Sequence, residues 1–260
     1  MWFRKKPTHF KPIKGQVSIV TVTFNAKLDL EKTIQTIITQ DYEDIEFIII
    51  DGGSTDGTIE IIQKHQKDIA YWVSEPDNGI YDAMNKGINK ATGEWINFMN
   101  AGDGFIDTNI VTMVLSQMPN EAELIYGNTR FIDESGKELY IQKGRDVKDF
   151  LWKGIGFNHN SLFCKTALMK AHPFNTNYKI VADSEFLIWA QKEGRKFYHI
   201  DSLINYFMTG GISHNQAALR LIERWKLVSH HKMRDQKEID RHYFKRLLDE
   251  TTLLDEVTPK

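Results

Sequence analysis

Four aspartates stand where a carboxylate could meet a ligand: Asp51 in IIIDGGSTDGT, Asp82 in EPDNGIYDAMNKG, Asp103 in WINFMNAGDGF and Asp183 in YKIVADSEFLIWA. Asp51 and Asp103 each close an apolar run and have glycines beside them, which puts an acid at a strand's carboxyl end and lets the backbone come close to a ligand. Such a carboxylate can accept hydrogen bonds from a ribose or a base edge, or hold a divalent cation together with substrate phosphates. Each acid also has a structural role open to it. Asp103 could cap the next helix, a job that Asp107 or Thr108 could also do, and Asp56 suits the N-cap after the second strand. Asp183 opens an amphipathic helix carrying Phe186, Leu187, Trp189 and Ala190, so it could be a cap as well as a general base. Asp82 and Lys86 are four apart, as are Asn85 and Asn89, which places both pairs on neighbouring stripes of one helix.

The elements that must position these groups alternate. Val17 to Phe24 reads as a β-branched strand, and Leu30, Ile34, Ile37 and Ile38 have helical spacing. A continuous apolar strand follows at 45–50, then a helix through Ile59, Ile61 and Ile62, a short strand at 69–73, a helix at 80–91, the strand EWINFM and a helix at 108–118. Continuous apolar strands between amphipathic helices predict a mostly parallel α/β sheet covered on both faces, with ligands at the carboxyl ends of its strands. After residue 120 the rhythm becomes short strands (ELIYGNTRFI, KELYIQ, NSLFCK, KFYHI, LINYFM) with single helices near 147–152, 165–171 and 183–193, then a helical tail over 216–249. The glycine fingerprint for dinucleotides is missing after the first strand, where TFNAKLDL stands, and no GK[ST] marks a Walker loop.

Composition narrows the setting. The chain has 260 residues, is 41% hydrophobic and carries a net charge of −2, enough to build one full core. The single cysteine, Cys164, excludes an intrachain disulfide and reads as a small buried hydrophobe. No run approaches the roughly 20 apolar residues of a membrane span, and no secretory h-region follows the basic N-terminus. A cytoplasmic protein is expected, peripheral at most to the inner face of a membrane. Arg4, Lys5, Lys6, Lys11 and Lys14 near one end, and nine basic residues between Arg220 and Arg246 near the other, would be its contacts with an anionic surface. No nucleic-acid-binding module accompanies that charge.

The ordered series VTVTFNA, IIIDGGSTDGT, SEPDNGIYDAMNKGI, TGEW and NAGD resembles the inverting glycosyltransferases of family two, most closely those that assemble bacterial O-antigen and capsule polysaccharides. The resemblance implies a GT-A fold, a Rossmann-like sheet flanked by helices, over 1–215, with the nucleotide half at about 15–120 and the acceptor half at about 121–215. A basic helical extension would fill 216–260. It further implies a nucleotide-sugar donor, UDP-linked, bound by Thr23, Asn25, Asp51, Asp82, Asn85 and Lys86. Asp103 matches the last acid of the D-x-D element that binds Mn²⁺ or Mg²⁺, although Ala101 and Gly102 replace its usual acidic partners. His214, beside the MTGGIS segment, would assist at the metal.

In the acceptor half, YKIVADSEF resembles the E-D element, with Ala182 in place of Glu, and so makes Asp183 the base, with Glu185 second. FNHNSLF resembles H-Q-x-x-F and puts His159 and Asn160 near the acceptor, a growing or lipid-linked glycan. Two other readings stay open: a nucleotidyltransferase of similar fold, and a non-catalytic module binding nucleotide sugars or glycans.

Overall fold

The computed structural model describes residues 10–210 and 216–257. Its first half is the predicted alternation: β1 (Ile13–Thr23), α1 (Lys27–Ile38), β2 (Ile45–Asp51), α2 (Thr58–Lys64), β3 (Tyr71–Ser74), α3 (Ile80–Lys90) and β4 (Gly93–Phe98). These four strands are parallel, in the order β3-β2-β1-β4. Their register aligns the carboxyl ends, Thr23 lying opposite Asp51 and Asp51 opposite Ser74. Ile19, Val20, Ile48, Ile49, Ile50 and Ile96 are fully buried, because helices cover both faces and successive strand positions on either face are shielded from water.

The second half abandons the parallel rule. It comprises β5 (Gly104–Phe105), α4 (Ile110–Gln117), β6 (Leu124–Ile132), β7 (Glu138–Gln142), α5 (Val147–Phe150), β8 (Phe163–Lys165), α6 (Thr166–Ala171), α7 (Ala182–Lys192) and β9 (Phe197–Met208). Strand β8 lies antiparallel between β4 and β6, β9 runs parallel to β6, and β5 and β7 pair antiparallel with β9 and β6. The run of parallel neighbours expected from sequence thus holds through the first half, β6 and β9 add one more parallel pair, and the whole is a mixed sheet. KFYHI and LINYFM, expected as two strands, are one strand of 12 residues.

Two reversals matter for the site. Antiparallel β8 brings the single 3₁₀ turn His159–Ser161 to the carboxyl end of β4, and antiparallel β5 brings the end of β9 back to the loop after β4.

The tail forms α8 (Ala217–His230) and α9 (Gln236–Val257). Leu221, Leu227, Val228, Ile239 and Tyr243 bury one face of this pair in the same core as α3 and α7, and the Tyr243 hydroxyl donates to the Trp152 carbonyl at 2.8 Å. Cys164 is fully buried, as its apolar surroundings in the sequence imply, and burial pushes its thiol up.

Gly87 marks where α3 meets the sheet, since a Cβ there would stand 2.4 Å from Val20 Cγ1. Gly87→Ala should therefore lower stability by about 1–3 kcal/mol through overpacking, although Ala in an exposed helix gains up to about 1 kcal/mol over Gly. Chemical denaturation would read the sign.

Candidate active site

The loop Asn100–Asp103 leaves β4 and is held from α1. Thr33 Oγ1 donates to the Asp103 carbonyl at 2.6 Å and accepts from Gly102 N at 3.0 Å. Gly102 takes φ +100°, and Met208 packs where its Cβ would be. Asp103 caps no helix: α4 begins at Ile110 with Asn109 before it, while Asp107 accepts from Thr108 N at 2.7 Å.

The Asp103 side chain is 5% exposed. One oxygen accepts from Met208 N at 3.0 Å and the other from the Asn160 amide. Among the described residues no cationic side chain neutralises it, and burial lifts its carboxyl to about 8 against the weaker pull of those two hydrogen bonds. Two further oxygens of this corner, Asn100 Oδ1 and Asn160 Oδ1, are buried without a hydrogen-bond partner. A desolvated carboxylate with spare amide oxygens fits a hard divalent cation, whose charge would offset the burial. Among the described residues no cluster of three His, Cys, Asp or Glu could hold a metal, so phosphate oxygens or water would complete the shell. His214, expected to assist, lies outside the described residues.

From this loop a chain of side chains leads to Asp183. Asn100 Nδ2 lies 3.1 Å from His159 Nε2, and His159 Nδ1 is 4.0 Å from Asp183 Oδ2. Desolvation pushes His159 below the ordinary imidazole value and outweighs the pull of the Asp183 charge, so the ring is neutral near pH 7. Asp183 is in the first turn of α7, after the N-cap Val181. Its Oδ1 accepts from Ser184 N at 2.7 Å and lies 3.2 Å from the Tyr81 hydroxyl. With its side chain 16% exposed, it keeps a route to solvent.

The expected nucleotide residues divide. Thr23, Asn25 and Asp51 meet at the carboxyl ends of β1 and β2. Asp51 is fully buried, and its carboxylate accepts from Gly53 N, Ser54 N, Ser54 Oγ and Ser74 Oγ. Its lone pairs therefore shape the loop that a ligand would meet. Asn25 takes φ 47°; its backbone N–H donates to Ser54 Oγ and its side-chain oxygen accepts from Thr55 N. Thr23 Oγ1 is buried without a partner.

Asp82 accepts from Asn78 N at 3.0 Å, and Lys86 pairs with Glu75 at 2.8 Å. Asn85 departs from the expectation: its amide donates to the Phe174 carbonyl and accepts from Phe174 N, clamping α3 to the loop before α7. Glu185 points away from Asp183, both oxygens lying about 3 Å from His172 Nε2. Asn160, expected at the acceptor, is fully buried and holds Asp103 instead.

Three residues were missed. Asp77, in EPDNG, has a carboxylate oxygen 2.6 Å from where a Gly52 Cβ would lie, an acid directly against the β2 loop. Tyr81 and Asn100 lie within the motifs DNGIYDAMN and NAGD, but neither residue type announces its partner.

The family model for glycosyl transferase family 2 matches residues 18–179. The chain belongs to this family. A glycosyltransferase of Mycobacterium tuberculosis without assigned substrate is 30% identical over 180 residues, covering 67% of this chain and 68% of that protein. A GalNAc(5)-diNAcBac-PP-undecaprenol β-1,3-glucosyltransferase of Campylobacter jejuni is 29% identical over 197 residues, covering 71% of this chain and 62% of that one. Solved structures agree on the fold. S. aureus TarS residues 1–349 with UDP-GlcNAc align with TM-score 0.68 at 15% identity over 90% of this chain and 71% of that one, whereas this chain spans 43% of the longer TarS. A Pyrobaculum calidifontis mannosyltransferase in complex with GDP-Man and Mn²⁺ aligns at 0.65 and 16% identity over 95% of this chain and 79% of that one. The family 2 chain thus has a GT-A fold, its mixed sheet flanked by helices and followed by a helical region.

The elevated Asp103 carboxyl has a consequence for stability. Its folded value, about 8, exceeds the unfolded value near 4, so this contribution is fully present below about pH 4 and is lost as pH rises through about 8. In metal-free buffer, Asp103→Asn should raise the melting temperature above about pH 8 and change it little near pH 4. Thermal melts across pH would check it.

Proposed function

We propose that this family 2 glycosyltransferase is a metal-dependent, inverting hexosyltransferase that moves a sugar from a UDP-linked donor to a growing or lipid-linked glycan in bacterial surface polysaccharide synthesis. The observation that carries this reading is the chain Asp103–Asn160 and Asn100–His159–Asp183, which links an acid suited to a cation with an acid that keeps a route to solvent.

Asp183 acts on the acceptor. Its Oδ2 takes the hydroxyl proton as the hydroxyl oxygen bonds to the anomeric carbon from the face opposite the donor diphosphate; the bond from that carbon to the phosphate oxygen breaks, and the diphosphate leaves with the electron pair. A cation held by Asp103, with His214 as an expected helper, supplies charge neutralisation for that leaving group. Thr23, Asn25 and the loop built on Asp51 line the nucleoside, with Asp77, Asp82 and Lys86 at the other rim. His159 stands beside the acceptor, its Nδ1 4.0 Å from Asp183 Oδ2 and beyond hydrogen-bond distance of it. The UDP and Mn²⁺ in solved GT-A structures and the polyprenol-linked acceptor named for the Campylobacter relative support these assignments.

The helical tail supports a peripheral role at an anionic membrane. Lys237, Arg241, Phe244, Lys245 and Leu248 fall at i, i+4, i+7, i+8 and i+11 of α9, all exposed, Phe244 by 57%. Leu219, Ile222 and Lys226 are exposed on α8, and a groove of about 500 Å³ between the helices is lined by Ile222, Trp225, Lys226, Ser229 and Leu247. None of the described helices is long and apolar enough to cross a membrane.

Calorimetry with UDP should show binding that strengthens with Mn²⁺; Asp103→Ala should remove the Mn²⁺ increment, and metal-independent binding unaffected by that change would exclude the metal role. Asp183→Asn should keep donor binding and lose at least about a hundredfold in transfer, assayed by nucleoside diphosphate release. The paired change Arg241→Glu and Lys245→Glu should weaken sedimentation with phosphatidylserine vesicles by about tenfold or more, while phosphatidylcholine vesicles bind neither protein.

A further inference from the structure

Asp183 follows a stretch that regular structure does not hold. Between α6, which ends at Ala171, and α7, which begins at Ala182, residues 172–181 form neither helix nor strand. Ile180 and Val181 are nevertheless buried, so the backbone N–H groups here need acceptors from elsewhere in the chain. Glu223 of α8 supplies them: its Oε1 accepts from Lys179 N at 2.9 Å and its Oε2 from Ile180 N at 2.9 Å. The next residue, Arg224, donates from Nη2 to Ser184 Oγ at 2.6 Å. That hydroxyl keeps its own proton to give, and Oγ lies 3.3 Å from Asp183 Oδ1. Two consecutive residues of α8, 40 to 44 positions downstream of their partners, thus grip the chain on both sides of Asp183.

We propose that Glu223 and Arg224 are positioning residues for the base, holding segment 179–184 so that Asp183 Oδ1 is committed inside the protein and Oδ2 is presented to the acceptor hydroxyl. The inference rests on Asp183 being the base. Oδ1 faces Ser184 N at 2.7 Å, the Tyr81 hydroxyl at 3.2 Å and Ser184 Oγ at 3.3 Å. Oδ2 is left with the 4.0 Å approach of His159 Nδ1. Oxygens treated so differently give the carboxylate one orientation. A general base needs its free oxygen within about 2.6–3.2 Å of the group whose proton it takes, so a small tilt of this segment would spoil the geometry.

The grip is firm because α8 is itself fixed. Leu221, Leu227 and Val228 are buried in the core, and Trp225 Nε1 donates to Asp240 Oδ1 at 2.8 Å, tying α8 to α9. The bonds to Glu223 are charge-assisted, which makes them stronger than bonds between neutral groups. Gly154 leaves room for the guanidinium, since a Cβ there would stand 3.2 Å from Arg224 Nη1. The donor's seat is elsewhere, with Thr23 and Asp51 at the ends of β1 and β2, so loosening segment 179–184 leaves it intact. The basic extension is in this way part of the catalytic unit as well as a membrane contact.

The test compares Glu223→Ala and Arg224→Ala with the conservative changes Glu223→Gln and Arg224→Lys. The probes are UDP release from the UDP-sugar that the unaltered protein turns over, and calorimetry with UDP. Glu223→Ala should lower kcat about tenfold to a hundredfold, as a displaced catalytic group does, with donor KM and UDP affinity unchanged. Glu223→Gln keeps an oxygen for the two N–H groups and should stay within about fivefold of the original kcat. Arg224→Ala should cost about tenfold, and Arg224→Lys, which keeps one donor and the charge, should recover most of that loss. Because Glu223 acts through Asp183, adding Glu223→Ala to Asp183→Asn should cost less than about twofold more. Amide exchange at Lys179 and Ile180 should quicken by about tenfold or more in Glu223→Ala while β1, β2 and β4 stay protected, a readout independent of turnover. Unchanged kcat in both alanine variants would overturn the proposal. So would a loss that persists in full in the Asp183→Asn background, or a fall in UDP affinity that matches the fall in kcat, since either marks a general weakening of the fold. Full turnover by Asp183→Asn would instead remove the base assignment, and this proposal with it.

Discussion

A carboxylate held out of water with no cation of its own is the constraint on which the site depends. Asp103 is buried between the end of β9 and the turn before β8, and among the described residues the charge that acts on it, Asp29, repels it further. Desolvation costs are large when unpaired, so the arrangement persists because the hydrogen bonds from Met208 N and Asn160 offset part of the cost and protonation can relieve the rest. A divalent cation would relieve it more completely. The tension at Asp103 is what the proposed metal site rests on.

The mixed sheet, in functional terms, brings five separate chain segments toward that corner. Parallel β1, β2 and β4 deliver Thr23, Asp51 and Asn100 to one edge, as doubly wound sheets do. Had β8 been a fifth parallel strand, the turn that precedes it would lie at the far edge of the sheet. Because β8 runs antiparallel to β4, the His159–Ser161 turn returns to the same edge, and β5 against β9 returns Met208 to Asp103. The start of α7 is brought in by clamps from α3, Asn85 to Phe174 and Tyr81 to Ile180.

Hydrogen-bond satisfaction sorts the acids of the site by role. Asp51 accepts four bonds from its own loop and Glu185 is engaged with His172, so both are spent on structure. Asp183 keeps Oδ2 clear of any bond closer than the 4.0 Å approach of His159, which leaves that oxygen to a substrate. Lone pairs already used inside the protein cannot also do chemistry, and this separates residues that look alike in sequence.

Apart from the two-residue strand β5, the order of strands and helices up to residue 118, the carboxyl-edge placement of Asp51 and Asp103, the helix at Asp183 and the inert burial of Cys164 were all legible from periodicity and turn residues, because these are local properties of the chain. Family membership was legible too, since it rests on motifs in order. The antiparallel return of β8 was not, because a strand of three residues carries no pattern of direction. Nor were the partners of Tyr81, Asn85, Asn160 and Glu185, which lie 57 or more residues away for three of them and, for Glu185, just past the end of α6. Which lone pairs remain open, and which acid is buried far enough to be raised, are properties of the assembled dielectric and hydrogen-bond network, and only the packed chain decides them.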